Sequence, residues 1–201
     1  MSDEKYLNVT ISLDSLEWTN IWLPNERADF LLVSIAQNKE TTPRVKFKII
    51  EAKSVHSENE ITLSESASPF KKAINQVRVT IENLHSIFFE PENEKPFSYL
   101  KRAVIHEHVI SKVLSTLHPI KYGDVWKRGV IETASDFLNS IDPEKDIEIS
   151  GLVVATQIGP SIKQQQERIS VDKNGYKFNI DLLKVGNEFL KEMFEKEDTP
   201  E

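Results

Sequence analysis

The sequence predicts an α+β fold in which a sheet packs against helices. Two hairpin patterns, at residues 29–53 and 169–182, predict the sheet, and two amphipathic patterns, at residues 69–89 and 97–117, predict the helices. No internal repeat or long linker divides the chain of 201 residues. We therefore expect a single domain spanning residues 1–201.

The stronger hairpin pattern follows an ambiguous opening. Residues 1–25 combine an alternating apolar stretch with an aromatic cluster around Trp18 and Trp22, a mixture that favours no single element. Residues 29–36 and 44–53 are rich in β-branched and apolar side chains, and a polar stretch separates them. They predict two adjacent antiparallel strands.

This hairpin would bring acidic side chains together at one end. If the chain turns about Glu40, three apolar pairs face one another on one side: Ile35 with Val45, Val33 with Phe47, and Leu31 with Ile49. The next pair on that side is Asp29 with Glu51, and Lys53 follows on the same face. We therefore expect two acids and an amine to converge there.

The middle of the chain is predicted to be helical. Apolar residues recur at spacings of three and four along residues 69–89: Phe70, Ile74, Val77, Ile81, Leu84 and Phe88. A second helix is expected at residues 97–117, with these residues toward the core: Phe97, Leu100, Val104, His108, Val113 and Leu117. Residues 122–140 predict a third helical segment.

The last part of the chain returns to strands. Residues 146–157 contain a short apolar run typical of a buried strand. Asp172-Lys173-Asn174-Gly175 supplies the turn of a hairpin between residues 169–171 and 176–182. Residues 185–196 are expected to form a closing helix.

Composition excludes several classes of protein. The chain has no cysteine, which excludes disulfide scaffolds and thiolate metal sites and favours a cytoplasmic location. No apolar run is long enough to span a bilayer, so no membrane partner is expected. Because the formal net charge is -7, any contact with nucleic acid has to be local.

The two opposed carboxylates indicate a metal site. Carboxylates that face each other repel unless a cation lies between them. Mg²⁺, or Mn²⁺ in its place, prefers oxygen ligands and leaves positions for water and a substrate phosphate. The expected metal ligands are Asp29, Glu51 and the carbonyl of Ala52, and Lys53 is placed to orient the nucleophile or to stabilise charge at the attacked phosphate.

These residues resemble a known nuclease motif. Asp29, a spacer and Glu51-Ala52-Lys53 on consecutive strands resemble the PD-(D/E)xK nuclease superfamily, with Ala28 where its name has Pro. The resemblance implies a restriction-endonuclease-like core and metal-dependent hydrolysis of DNA. Within the superfamily, the chain is most similar to nuclease domains associated with HerA-like ATPases in bacterial anti-phage and phosphorothioation-dependent restriction systems. That similarity implies DNA and a separate motor ATPase as partners, and a homo-oligomer for double-strand cleavage.

The resemblance also divides the chain and assigns roles. It implies a core motif at residues 27–89, a helical insert at 97–140, and a strand, hairpin and terminal helix at 146–196. On the first long helix, Lys72, Gln76 and Thr80 recur at four-residue spacing, which would let Gln76 point at the site. The expected catalytic residues are Asp29, Glu51, Lys53 and Gln76, and the expected substrate contacts are Lys72, Lys71 and His56.

Two other interpretations stay open. The chain could be a nuclease-like subunit that has lost cleavage and binds DNA or protein, which its low basicity favours, or it could be an oligomeric scaffold.

A zinc site at His106-Glu107-His108 is not expected, because the two histidines point to opposite sides of a helix. Glu17 is a candidate for a further acid. The sequence has no phosphate-binding loop, so a motor would be a separate chain or part.

Overall fold

A mixed sheet with helices packed against it forms the fold, which confirms the α+β prediction. The computed structural model describes residues 6–13, 27–36, 38, 40–56, 68–89, 98–117, 124–136, 142–158, 164–173 and 175–186. Within them the strands are β1 (Tyr6–Ser12), β2 (Phe30–Ala36), β3 (Val45–His56), β4 (Ile147–Ile158), β5 (Gln165–Lys173) and β6 (Tyr176–Gly186). The helices are α1 (Ser68–Phe89), α2 (Ser98–Leu117), α3 (Asp124–Asp136) and the short α4 (Pro143–Asp146).

The order of the strands places a parallel centre between antiparallel edges. The six strands follow the order β1-β2-β3-β4-β6-β5. The pairs β3–β4 and β4–β6 are parallel, and the other neighbours are antiparallel. The carboxyl ends of β3, β4 and β6 therefore meet at one edge, where ligands bind in many open sheets.

The first hairpin has the predicted register but ends one pair early. The three predicted apolar pairs all form: Ile35 with Val45, Val33 with Phe47, and Leu31 with Ile49. The ladder stops at Phe30 and Ile50, so the predicted ladder pair of Asp29 with Glu51 is wrong. Asp29 lies in a bend instead, and its backbone carbonyl accepts a hydrogen bond from the Leu13 N–H at 2.9 Å.

Helix α1 lies directly on the centre of the sheet. All six residues of its predicted apolar stripe are buried, which confirms this helix. Gly151 of β4 makes the close approach possible, since a Cβ atom added there would lie 2.5 Å from Val77 Cγ1. The helix therefore contacts β3 and β4 through side chains that leave no room for another methyl group.

Helix α2 forms where predicted, but its buried face is only partly the predicted one. Leu100 is 52% exposed, so this predicted core position is wrong, and His108 is only half-buried. Val113 and Leu117 are buried, and Val104 packs against the core, as predicted. The buried residues follow four-residue spacing: Ile105, Val109, Val113 and Leu117. The difference arises because α2 packs on β1 and α3, and sequence patterns did not identify β1 as a strand. Phe97 lies outside the described residues.

The C-terminal hairpin is confirmed and longer than predicted. Gly175 has a φ of 85°, the left-handed conformation that this turn requires, and its N–H donates to Asp172 Oδ1 at 3.3 Å. The predicted start of a helix at Val185 is wrong, because β6 continues to Gly186 and pairs there with Gln157. Residues 187–196 lie outside the described part. None of the helices that the structure describes has the length and apolar character needed to cross a bilayer.

Candidate active site

An acid and an amine contact each other near the carboxyl end of β3. Glu51 points to the buried face of the sheet and is 0% exposed, although its side chain is charged in its ordinary state. Lys53 is the next residue on that face, and its side chain is 32% exposed. The Lys53 Nζ contacts Glu51 Oε1. The structure therefore brings together two of the predicted site residues at the rim of the core.

Asp29 reaches the same place from the bend before β2. Its Oδ2 accepts a hydrogen bond from the backbone N–H of Ala52 at 2.9 Å. The N–H and C=O of one strand residue point toward the same neighbouring strand, so the Ala52 carbonyl also lies on the side of Asp29. Asp29, Glu51 and the Ala52 carbonyl therefore occupy one corner of the sheet, although Asp29 is not part of the ladder.

Helix α1 fixes the chain that leads into Asp29. Gln76 Nε2 donates to the backbone carbonyl of Arg27 at 2.9 Å, and Thr80 Oγ1 accepts from the Ala28 N–H at 3.1 Å. The Thr80 hydroxyl donates in turn to the Gln76 carbonyl at 2.8 Å. Thr80 is fully buried, so its hydroxyl satisfies a backbone group that water cannot reach. We call these two side chains and their contacts the α1 clamp.

The electrostatics of the corner disfavour an ionised Glu51. Burial raises the pKa of Glu51, and the nearby carboxylate of Asp29 raises it further. Lys53 and the backbone N–H of Asp29 oppose this increase without cancelling it. A second positive charge beside Asp29 and Glu51 would lower the pKa of Glu51 and stabilise both carboxylates.

The residues of this corner fit a magnesium ion. Both oxygens of Glu51 are buried, and the groups that act on this carboxylate are the Lys53 amine and the backbone N–H of Asp29. Two carboxylates and a carbonyl are the hard oxygen ligands that Mg²⁺ prefers, and Mg²⁺ commonly takes few protein ligands and keeps several waters. No group of three or more His, Asp or Glu side chains that could hold a metal occurs in the described ranges. A bound ion would therefore need water or substrate to complete its shell.

The remaining predicted residues differ in how the structure places them. Phe88 of α1 packs on Phe47, near the start of β3, at 5.3 Å between ring centroids. The N-terminal half of α1 therefore lies toward the carboxyl end of β3, and Lys71 and Lys72 are exposed on it. His56 is the last residue of β3. The amide nitrogen of Gln76 binds the Arg27 backbone, so this side chain holds the bend in addition to any contact with a ligand.

Two buried polar residues beside Lys53 were missed by sequence analysis. Gln157 is 2% exposed and Lys184 is 1% exposed. Ala155 pairs with Lys53 on one side and with Lys184 on the other, so both lysines lie on the same face of the sheet in one row. The alternation of Phe178, Ile180 and Leu182 is the signal that could have placed Lys184 on the buried face.

Within the described residues, the histidine pair of α2 and Trp126 give no further site. His106 Nε2 lies 2.8 Å from the Ala134 carbonyl on α3, an interhelical contact that accounts for the position of this side chain. Trp126 packs against the core cluster. Glu17, Trp18 and Trp22 lie outside the described residues.

Three comparisons with known proteins were negative. No protein-family model, no curated protein and no solved structure matches this chain. Any function assigned to it therefore rests on the geometry of Asp29, Glu51 and Lys53.

Proposed function

We propose that the protein is a Mg²⁺-dependent nuclease that hydrolyses phosphodiester bonds in DNA, with a restriction-endonuclease-like core. The observation that supports this most is the convergence of Asp29, Glu51 and Lys53 at the carboxyl end of β3. A buried carboxylate beside a second carboxylate weakens the fold, which points to a functional role for the pair. A metal ion bound by both carboxylates would be such a role.

Each residue has a defined role in this proposal. Asp29, Glu51 and the Ala52 carbonyl would hold the ion, as their oxygen atoms lie in one corner. When bound, Mg²⁺ supplies the charge that neutralises the attacked phosphate and acidifies the attacking water. Lys53 would leave Glu51 and orient the water whose oxygen attacks phosphorus. The phosphorus–oxygen bond to the leaving strand would then break, the proton of the attacking water would pass to solvent, and the leaving oxygen would take up a proton from solvent.

The surrounding residues would hold the substrate. Gln76 keeps the bend before Asp29 in place through its bond to Arg27. Lys71, Lys72 and His56 would contact DNA phosphates, which suits the exposed position of the two lysines. In a cytoplasmic restriction or anti-phage system, a separate ATPase would deliver the DNA and a homo-oligomer would cut both strands.

Two observations favour a second candidate function, a nuclease-like subunit that binds DNA or protein without cutting. Glu51 is completely buried and is already in contact with Lys53, so the acid has a cation without a metal. The net charge of -7 also weakens the attraction of DNA.

A combined titration and cleavage assay tests both functions. We would measure binding of Mg²⁺ and Mn²⁺ by calorimetry, and nicking of supercoiled plasmid, for wild type, Asp29→Asn, Glu51→Gln and Lys53→Met. We expect metal binding to be lost in the two acid variants and kept in Lys53→Met, while all three lose at least about 100-fold in nicking rate. Asp172→Asn, at an exposed turn, is the matched control and should behave as wild type.

The outcomes separate the two functions. Wild-type protein that binds neither ion and never nicks, but shifts duplex DNA in a gel, would establish the non-cutting subunit. Nicking that survives in both Asp29→Asn and Lys53→Met would show that the activity comes from elsewhere.

A further inference from the structure

A pocket of about 630 Å³ opens at the end of the sheet opposite the active site. The last turns of α1 and the start of β6 form one side of it, and the region of α4 forms the other. Its main lining residues are His85, Phe89, Asp142, Pro143, Glu144 and Tyr176. The volume is that of a site for a small molecule.

One wall of the pocket is aromatic. The His85 ring stacks on Phe89 with 4.6 Å between centroids and an interplanar angle of 4°. The centroid of the Tyr176 ring lies 3.9 Å from that of His85 and 5.7 Å from that of Phe89, so the three rings pack against one another as one cluster. The faces of aromatic rings carry partial negative charge and attract cations.

The opposite wall is acidic. Asp142 and Glu144 line the pocket, and residues 142–148 also include Asp146 and Glu148, with Lys145 as the single base. Lys145 pairs with Asp142 at 2.9 Å and so offsets one of these charges. Burial raises the pKa of Tyr176 to about 12, and the charge of Glu148 adds to this increase. The wall therefore keeps a net negative charge, and the tyrosine stays neutral.

We propose that this pocket binds a small organic cation, an ammonium group on a hydrocarbon body. The cationic head would lie over the rings and beside the Glu144 carboxylate, and the hydrocarbon body would lie on Pro143. Ring faces suit a nucleobase as well, but the acidic wall would repel the phosphate of a nucleotide. The two walls thus select the same sign of charge, and this ligand site is separate from the proposed nuclease activity.

A pair of ligands with the same shape tests the charge requirement. We would titrate choline and its uncharged carbon isostere, 3,3-dimethylbutan-1-ol, into ¹⁵N-labelled wild-type protein and follow amide shifts of residues around the pocket. Choline should bind at least about 10-fold more tightly than the isostere, since both walls contribute only to a cation. Equal affinities, or no shift with choline, would overturn the proposal.

Three variants test the location. Tyr176→Leu removes one ring face, and Glu144→Gln removes one charge whose side chain is not needed to cap α4, because Asp142 is the cap. Each should weaken choline binding roughly 2- to 30-fold. Glu132→Gln, which removes one exposed carboxylate on α3 outside the pocket lining, should leave choline binding unchanged. Thermal unfolding of each variant checks that the fold is intact. Unchanged choline affinity in folded Glu144→Gln and Tyr176→Leu would contradict the proposal.

Discussion

The two ends of helix α1 present opposite chemistry to one sheet. Toward its N-terminus, Gln76 and Thr80 use polar atoms to hold the backbone before Asp29. Toward its C-terminus, His85 and Phe89 use ring faces and line an open pocket. The apolar stripe between them is buried along its whole length.

The comparison separates what stabilises the helix from what positions a site. Burial of the stripe supplies most of the free energy that holds α1 on the sheet. The α1 clamp adds little to it, because hydrogen bonds formed on folding replace bonds to water. Its effect is to fix where Asp29 lies, whereas the aromatic end fixes only a surface. We therefore expect substitutions at the polar end of α1 to be tolerated less well than substitutions at its aromatic end.

The largest effect should come from separating α1 from the sheet, which would disturb both ends together. Gly151→Val places atoms where Val77 already lies, and we expect a loss of about 3 kcal/mol in the free energy of unfolding. Urea unfolding measures it. Gly175→Ala serves as the comparison: it meets no atom within 4 Å and should lose only about 1 kcal/mol, through its backbone conformation. Equal losses would mean that α1 does not rest on Gly151.

The α1 clamp is tested by removing one hydroxyl without changing shape. Thr80→Val leaves the buried Ala28 N–H without its partner and should cost about 1–3 kcal/mol. Thr133→Val is the matched control, because Thr133 Oγ1 is buried and has no hydrogen-bond partner among the described residues. The free energy of unfolding of Thr133→Val should equal or exceed that of wild type. If both lose the same amount in urea unfolding, the clamp contributes nothing specific.

Glu51→Gln should change how stability depends on pH. The pKa of Glu51 is raised from its ordinary value of 4.5, so just above pH 4.5 the folded state binds more protons than the unfolded state. Wild-type stability therefore falls as the pH rises from 4.5 through the raised pKa, and stays lower above it. Glu51→Gln should lack this decrease. Urea unfolding from pH 4 to 8 measures both, and parallel curves would contradict the raised pKa.

The same variant links this pH dependence to metal binding. At neutral pH, Mg²⁺ should raise the unfolding temperature of wild type and leave that of Glu51→Gln unchanged, because an ion that binds only the folded state stabilises it.

The smallest effect on stability is expected at the exposed lysines of α1. The double variant Lys71→Ala, Lys72→Ala should stay within about 0.5 kcal/mol of wild type. If both side chains contact phosphates, the slope of log affinity for duplex DNA against log salt should become shallower by about 2. Fluorescence anisotropy at several salt concentrations measures the slope. An unchanged slope would remove these lysines from the DNA contacts.

Local patterns predicted the elements whose partners are near in sequence. The register of β2 on β3 follows from the alternation of Leu31, Val33 and Ile35 across a short turn. The stripe of α1 follows from its spacing alone. In both cases the buried face is defined within one element or one hairpin, so no distant contact is needed to choose it.

The predictions from sequence were wrong or incomplete where the position of an element depends on contacts with a part of the chain that is distant in sequence. The buried face of α2 depends on β1, and the continuation of β6 through Val185 depends on its pairing with β4. The convergence of Asp29, Glu51 and Lys53 could be predicted from the hairpin, but the hydrogen bonds of Asp29 with Leu13 and of Ala28 with Thr80 join residues that are distant in sequence. Lys184 could be placed on a face, although its row with Lys53 requires the order of the strands.

The parallel pairing of β3 with β4 has a consequence for how the chain folds. Residues 57–146 separate these two strands, so their ladder can form only after a long loop closes. Until then the hairpin β2–β3 and the later strands each expose an unpaired strand edge rich in Ile and Val. We expect slow folding limited by this closure, and aggregation at high concentration while the two edges are still apart.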